Sequence, residues 1–400
     1  MAFRERILEY AEKQYPVYRE IALQIHGKPE TSNHEYFACG VLSEQLEKEG
    51  FEVKVDVAGH PTGFTGVYKS GKPGPVLAFL AEYDALIGLG HGCGHNLFGA
   101  TSLLAAASLK QVIDDIGGEI RVYGTPGEEG GENGSAKGSF VREGYFKDVD
   151  AALCVHPGSD HHELTHAEIA CAPIRIEFRG KAAHASSSPQ DGINALDALV
   201  LVFNAIGLMR QQLPADVRVH GIVTKGGDAP NIIPDLTEGK FYVRAATVKR
   251  MMKVYHQLED IVKGAALQTG CTGLLEPAQR NLIDNVVPTP SFDEVYRKNL
   301  VSLGETFEDK VFPLGSSDVG NVSQVIPVIQ PMIRISETPV AGHSIEKREA
   351  CRSETGLRSI ALGAKALALT AMELILDPEL LDRIRKDHAR AVAAQDEQNK

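Results

Sequence analysis

Apolar positions recur along this 400-residue chain at two periods, and the first half alternates between them. Residues 35–50 pair Phe37 with Val41 and Leu42 with Leu46, the i,i+4 spacing of a helix face, and Gly50 supplies a stop. FEVKVDV (51–57) alternates as a strand does. PVLAFLA (75–81) is apolar throughout, which predicts a strand covered on both faces. Residues 97–113 return to a helical pattern. EIRVYG (119–124) and DAALCV (150–155) read as further strands with another helix between them. Strand and helix in alternation predict an α/β layer built on a mostly parallel sheet.

The texture changes near Ala170. IRIEFRG (174–180) alternates, 193–213 is helical, RVHGIVTKG (218–226) and GKFYVRAAT (239–247) are strands, 251–269 is helical, and CTGLLEP (271–277) is a last strand. The order β-α-β-β-α-β is the split, ferredoxin-like arrangement. Residues 171–284 are therefore expected to form an inserted small domain. Residues 1–170 and 285–400 then form one discontinuous larger domain. Two helices, 353–376 and the highly charged 378–398, close the chain, and no internal repeat is present.

Charge changes this picture by exclusion. Lys and Arg total 41 against 53 Asp and Glu, a net charge of −12, so the chain lacks the basic footprint of a general nucleic-acid binder. The six cysteines are scattered, as in reduced intracellular proteins. The first residues are charged from Arg4 onward, with Glu5, Glu9 and Glu12, which predicts neither a secretory leader nor a transit peptide. The apolar stretches near 97–109 and 195–209 are interrupted by polar groups. A cytoplasmic protein with no membrane partner is expected.

Four segments place metal-binding residue types after predicted strands, the edge where open α/β sheets hold ligands. In AEYDALIGLGHGCGHN (81–96), Cys93 and His95 are two apart between glycines that let both side chains reach one centre. Asp84 is placed to orient a ligand from behind. The competing reading is a glycine-rich turn around a buried thiol. In GTPGEEGG (124–131), the adjacent carboxylates Glu128 and Glu129 repel unless a cation is near, so one can ligate while the other acts as a base. A solvated acidic loop is the alternative. His156 ends AALCVHPG (151–158) and His343 sits in AGHS (341–344); alone, each says little. His161, His162 and His166 are expected in an exposed loop, outside the ligand set. Together, Cys93, His95, Glu129, His156 and His343 suit two metal ions sharing a water.

These segments, with GKAAHAS and GGDAPNIIPD, appear in the order found in the aminoacylase and carboxypeptidase-G type metallopeptidases, family twenty of the metallopeptidases, which the chain resembles from about His26 to Leu376. The similarity is strongest to the amidohydrolase branch, home of p-aminobenzoyl-glutamate hydrolase and a β-alanyl-lysine type dipeptidase. The resemblance implies a catalytic domain with two divalent metals and a dimerisation lid giving a homodimer or tetramer; the Cys93 thiolate leans to zinc, with manganese, which relatives also use, as the alternative. It makes Cys93, His95, Glu129, His156 and His343 the ligands and Glu128 the general base. His184 would polarise the substrate carbonyl, in relatives from the partner subunit. Asn231 and Arg244 would hold the backbone or carboxylate of a small N-acyl amino acid or dipeptide; the plainer reading of Arg244 is a strand-face salt bridge.

Two departures stand out. Glu82-Tyr83-Asp84 occupies the place of the His-x-Asp that opens the metal site in most other branches, and Asn96 follows His95 where many members of this branch carry Asp. Competing functions are a cysteine hydrolase with Cys93 as nucleophile and His95 as base, and a non-catalytic metal- or peptide-binding protein. The first leaves Glu129, His156 and His343 unexplained, and an intact Glu128 argues against the second.

Overall fold

The computed structural model describes residues 2–131, 133–276, 281–307 and 315–398. They divide into two compact units, 1–167 with 286–398, and 168–285.

The first unit opens with helices α1 (Phe3–Gly27) and α2 (Tyr36–Lys48). Strands β1 (Glu52–Val57), β2 (His60–Lys69) and β3 (Val76–Ala81) follow, then α3 (His95–Ile116), β4 (Glu119–Gly124), α4 (Ala136–Arg142), β5 (Ala151–Leu153) and the short β6 (His156–Pro157). The second unit runs β7 (Ala170–Arg179), α5 (Ala195–Met209), β8 (Arg218–Lys225), β9 (Leu236–Ala245), α6 (Val248–Thr269) and β10 (Thr272–Leu275). Pro277, at the end of the last predicted lid strand, lies outside the described residues. The chain then completes the first unit with α7 (Pro290–Ser302), α8 (Val319–Ser323), β11 (Val328–Ile329), β12 (Met332–Ile333), α9 (Ile345–Ala350), α10 (Glu354–Leu376) and α11 (Pro378–Gln398).

The main sheet has the order β1-β2-β4-β3-β5-β11. The pairs β4–β3, β3–β5 and β5–β11 are parallel, whereas β1 and β2 form an antiparallel flank. The apolar run of β3 follows from its two covered faces: Leu77, Phe79 and Ala81 enter one core, and Ala78 and Leu80 enter the other. Helices α1, α3 and α10 supply much of the larger core. Helix α10 is long and apolar enough to cross a membrane, at a mean hydropathy of 1.6, but 78% of that stretch is buried within the protein, as in a core helix.

One strand is unannounced in the sequence, and one sequence expectation changes. Strand β2 has no alternating pattern to announce it, because Thr62, Gly63, Thr65 and Gly66 lie along its buried stretch. Gly66 lets α2 approach: a Cβ there would stand 2.9 Å from Leu46 Cδ1. His161 and His162 are buried, not exposed. His161 is paired with Asp160 and Glu163, and His162 with Glu305, so they serve the packing of this region.

The second unit is a four-stranded antiparallel sheet of order β10-β7-β9-β8, with α5 and α6 packed on one face. That is the ferredoxin-like order. The sequence shows it plainly because each strand has one apolar and one polar face.

Asp293, in the first turn of α7, is 2% exposed and accepts bonds from Thr165 N (3.1 Å) and Thr165 Oγ1 (2.6 Å). Burial pushes its carboxyl from 3.8 up to about 7, against the pull of those bonds and of His166. The folded state thus holds this proton more tightly than the unfolded chain. Stability falls as pH rises through that interval, with the loss complete above it. Asp293→Asn keeps the acceptor and removes the titration. It is expected to be more stable than wild type at pH 8 by about 2–4 kcal/mol and equal to it below about pH 4, read as melting temperatures across pH.

Candidate metal centre

The candidate ligands meet where the main sheet's parallel strands end. Strand β3 stops at Ala81, and Glu82 and Asp84 follow. Strand β4 stops at Gly124; Thr125 N donates to Ala81 O (2.8 Å), so the loop carrying Glu128 and Glu129 leaves beside the Asp84 segment. Between Cys93 and His95, Gly94 adopts φ 95°, and a Cβ there would come 2.6 Å from Pro157 Cβ. Only glycine fits that left-handed, crowded turn, which starts α3 at His95. His343 arrives from the loop before α9, with its backbone N–H on Gly92 O (3.2 Å).

All five proposed ligands and Glu128 lie together. The ligating atoms of Cys93, His95 and His156 lie within 4.8 Å of one another, as do those of Cys93, Glu129 and His343, and those of His95, Glu128 and Glu129. Cys93 Sγ is 3.4 Å from His156 Nε2, Glu129 Oε1 is 3.5 Å from His343 Nε2, and Glu128 Oε2 is 3.9 Å from His95 Nε2. Asp84 stands behind them. Its Oδ1 accepts from His95 Nδ1 (2.8 Å), and its Oδ2 accepts from Ser32 Oγ (2.7 Å) and Glu129 N (2.9 Å). It therefore fixes the His95 ring and the ligand loop at once.

The donor chemistry fits divalent cations. His95 Nδ1 lies on Asp84, and its Nε2 faces Glu82 Oε2 at 3.2 Å and Glu128 Oε2 at 3.9 Å. Among the described residues, His95 Nε2 and Glu129 Oε1 are buried without a hydrogen-bond partner. Ring nitrogens, a thiol and carboxylates gathered this closely suit a cation among them. Thiolate, imidazole and carboxylate together suit a borderline metal such as zinc. Burial, then the charges of Glu82, Glu129 and Asp318, raise the Glu128 carboxyl well above its ordinary value. Burial pushes the Cys93 thiol up to about 11.

Several supporting residues carry no local sequence signal. Glu35 Oε1 accepts from Gly127 N (3.0 Å) and Asn33 N (2.8 Å), while its Oε2 accepts from Thr62 Oγ1 (2.8 Å). Asn33 Nδ2 donates to Gly134 O (3.3 Å), and His60 joins Asn33 Oδ1 (2.8 Å) to Ser139 Oγ (2.8 Å). These residues grip both ends of the Glu128–Glu129 loop from far away in sequence. Glu82, Lys137 and Asp318 form a fully buried ion cluster beside it.

The other three residues lie in the second unit. His184 is exposed, and its Nδ1 accepts from Ser187 N (3.2 Å) and Ser186 N (3.3 Å), which leaves Nε2 as the protonated donor of the neutral ring. Asn231 is brought beside it: Ala185 N donates to Asn231 O (2.9 Å). Arg244, on β9, stacks over Tyr242 at 5.2 Å and pairs in register with Arg218 on β8.

Fold and donor set describe a metal-dependent amide hydrolase, and known proteins agree. Residues 172–270 match the M20 family model of the peptidase dimerisation domain. The chain is 36% identical over 399 residues to Xaa-Arg dipeptidase of Mus musculus, spanning 96% of this chain and 90% of that protein. It is 31% identical over 455 residues to a component of the p-aminobenzoyl-glutamate hydrolase of Escherichia coli strain K12, spanning 94% of this chain and 93% of that one. A Bacillus subtilis dinuclear metal binding peptidase of the M20 family shares the fold, with a TM-score of 0.61 at 18% identity over 90% of this chain and 99% of that one. The chain belongs to the M20 family of metallopeptidases and is a hydrolase of its amidohydrolase type.

Proposed function

We propose that this enzyme hydrolyses the amide bond of a dipeptide or small N-acyl amino acid carrying a free carboxylate, with two divalent ions held by Cys93, His95, Glu129, His156 and His343. The observation that carries the reading is the convergence of those five donors, with Glu128 left over, at the sheet edge. The curated relatives, named as dipeptidases and an aminobenzoyl-glutamate hydrolase, support the substrate class.

Bound there, divalent ions would polarise the amide carbonyl and make water acidic enough to lose a proton near neutral pH. Glu128 takes that proton, since its buried and negatively charged surroundings raise its basicity, and it returns the proton to the leaving amine. His184 offers its Nε2–H to the developing oxyanion. Asn231 and Arg244 hold the substrate carboxylate. Zinc is the proposed ion, because Cys93 is a soft ligand. Homodimerisation through the second unit is supported by the edge strand β8, which leaves Ile222 63% and Val223 47% exposed.

The thiol-enzyme alternative fares worse. A nucleophilic cysteine needs a thiolate near neutral pH, and burial pushes Cys93 the other way. EDTA is expected to abolish hydrolysis of a dipeptide panel followed by mass spectrometry, and added zinc to restore it. Iodoacetamide on the metal-loaded enzyme should leave activity intact. Loss to iodoacetamide with resistance to EDTA would reverse the assignment.

A further inference from the structure

Behind the ligand cluster lies a lysine that the reaction described above does not use. Lys137, in the first turn of α4, is 0% exposed, and so are the two carboxylates that hold it. Its Nζ stands 2.7 Å from Glu82 Oε1 and 2.7 Å from Asp318 Oδ1. Asp318 is fixed in turn by Ser135 Oγ, which donates to its Oδ2 at 2.5 Å, and Ser135 caps α4 by accepting from Gly138 N. Three segments distant in sequence are thus pinned to one ammonium: the end of β3, the start of α4 and the approach to α8.

Burying an ammonium is unfavourable unless it is paired, and here the pairing is unequal, with one positive group for two carboxylates. The surplus negative charge has one direction to face. Glu82 Oε1 is taken by Lys137, while Oε2 lies 3.2 Å from His95 Nε2. Among the described residues, Oε2 and His95 Nε2 are both buried without a hydrogen-bond partner, while the other ring nitrogen, Nδ1, lies on Asp84. A cation shared by both resolves that contact. Lys137 itself stays charged: burial alone would lower its pKa, and Asp318 and Glu82 outweigh it.

We propose that Glu82 belongs to the metal centre as an additional carboxylate facing the ion that His95 binds, and that Lys137 is the positioning residue that aims it. This rests on the metal-centre reading given above. Without the Lys137 ammonium, Glu82 loses the partner that fixes its rotamer, and Oε2 no longer faces the ion. Outer residues of this kind typically govern metal affinity by about 10–100-fold.

The test is metal retention, with full-length protein loaded with cobalt(II). Bound metal is counted after dialysis against graded chelator, and the visible spectrum of the cobalt form is recorded. Wild type should hold two ions per chain; if it holds none, the metal-centre reading itself fails. Glu82→Gln keeps the shape and removes the charge, and is expected to lose one ion about 10–100-fold more readily and to alter the cobalt spectrum. Lys137→Met should do the same, and Lys137→Arg should restore most of the retention. The double variant E82Q/K137M should be no worse than the poorer single one, since both act on one carboxylate. Wild-type retention and spectrum in E82Q, whatever its melting temperature, would overturn the role of Glu82. Additive losses in the double variant, or K137R as poor as K137M, would overturn the positioning role of Lys137. If K137M does not fold, E82Q decides the role of Glu82 as above, and K137R losing metal as readily as E82Q overturns the positioning role of Lys137.

Discussion

Glu128→Gln is expected to lower kcat by about a thousandfold, within the reach of general acid–base catalysis, while both metal ions stay bound. Glu129→Gln is expected to lose metal and, with it, activity. The two glutamates are adjacent and nearly equally buried, with side chains 11% and 12% exposed, so composition alone does not separate them. Their surroundings do. Glu129 sits in two of the three donor groups, lies 3.5 Å from His343 Nε2, and has its backbone N–H pinned to Asp84. It is held as a ligand is held. Glu128 meets only the group around His95, at 3.9 Å, and faces Glu82, Glu129 and Asp318, whose charges add to burial in raising its proton affinity. That is how a base is tuned. Gln at 128 keeps the volume and removes the proton acceptor. Elemental analysis beside kcat separates the roles, and metal loss from E128Q with retention in E129Q would show that they are exchanged.

What could be read from the chain depended on how local each cause is. Strand β3 and the second unit's four strands declared themselves because burial on two faces or one leaves its mark in consecutive residues. Strand β2 did not: its buried stretch is built from threonine and glycine, chosen for the close approach of α2 rather than for apolarity. The ligand types were legible as residues next to glycines at strand ends. The geometry that joins His343 to Glu129, more than two hundred positions away, was legible only through resemblance to a family. Nothing local marks Asn33, Glu35 or His60, which hold the ligand loop from outside it. Lys137 is the sharpest case. A lysine in SAKGSF reads as a solvated helix residue until Asp318 and Glu82 close on it, and no sequence period connects those three positions. His161 and His162 err the other way: a polar run reads as exposed loop, and pairing with Glu163 and Glu305 permits burial.

Two inactive variants, mixed, are expected to give an active enzyme. His184→Ala alone should cut kcat with metals retained, because the loss of one oxyanion donor typically costs about a hundredfold or more. If His184 serves the site of the partner subunit, as the family resemblance implies, E128Q and H184A complement each other. In a mixed dimer, one site lacks both Glu128 and His184. The other combines Glu128 of the H184A chain with His184 of the E128Q chain and is whole. Random reassortment of equal amounts makes half the dimers mixed, each with one working site of two, so about one quarter of wild-type activity should appear. The variants should be mixed under conditions that exchange subunits, and the return of activity followed over time. A histidine acting within its own chain gives no recovery, since neither chain then contains a complete site. The hydrogen bonds around His184 favour a donor role in either case, with Nδ1 occupied by the N–H groups of Ser186 and Ser187 and the proton on Nε2. Complementation therefore tests whose site that proton serves.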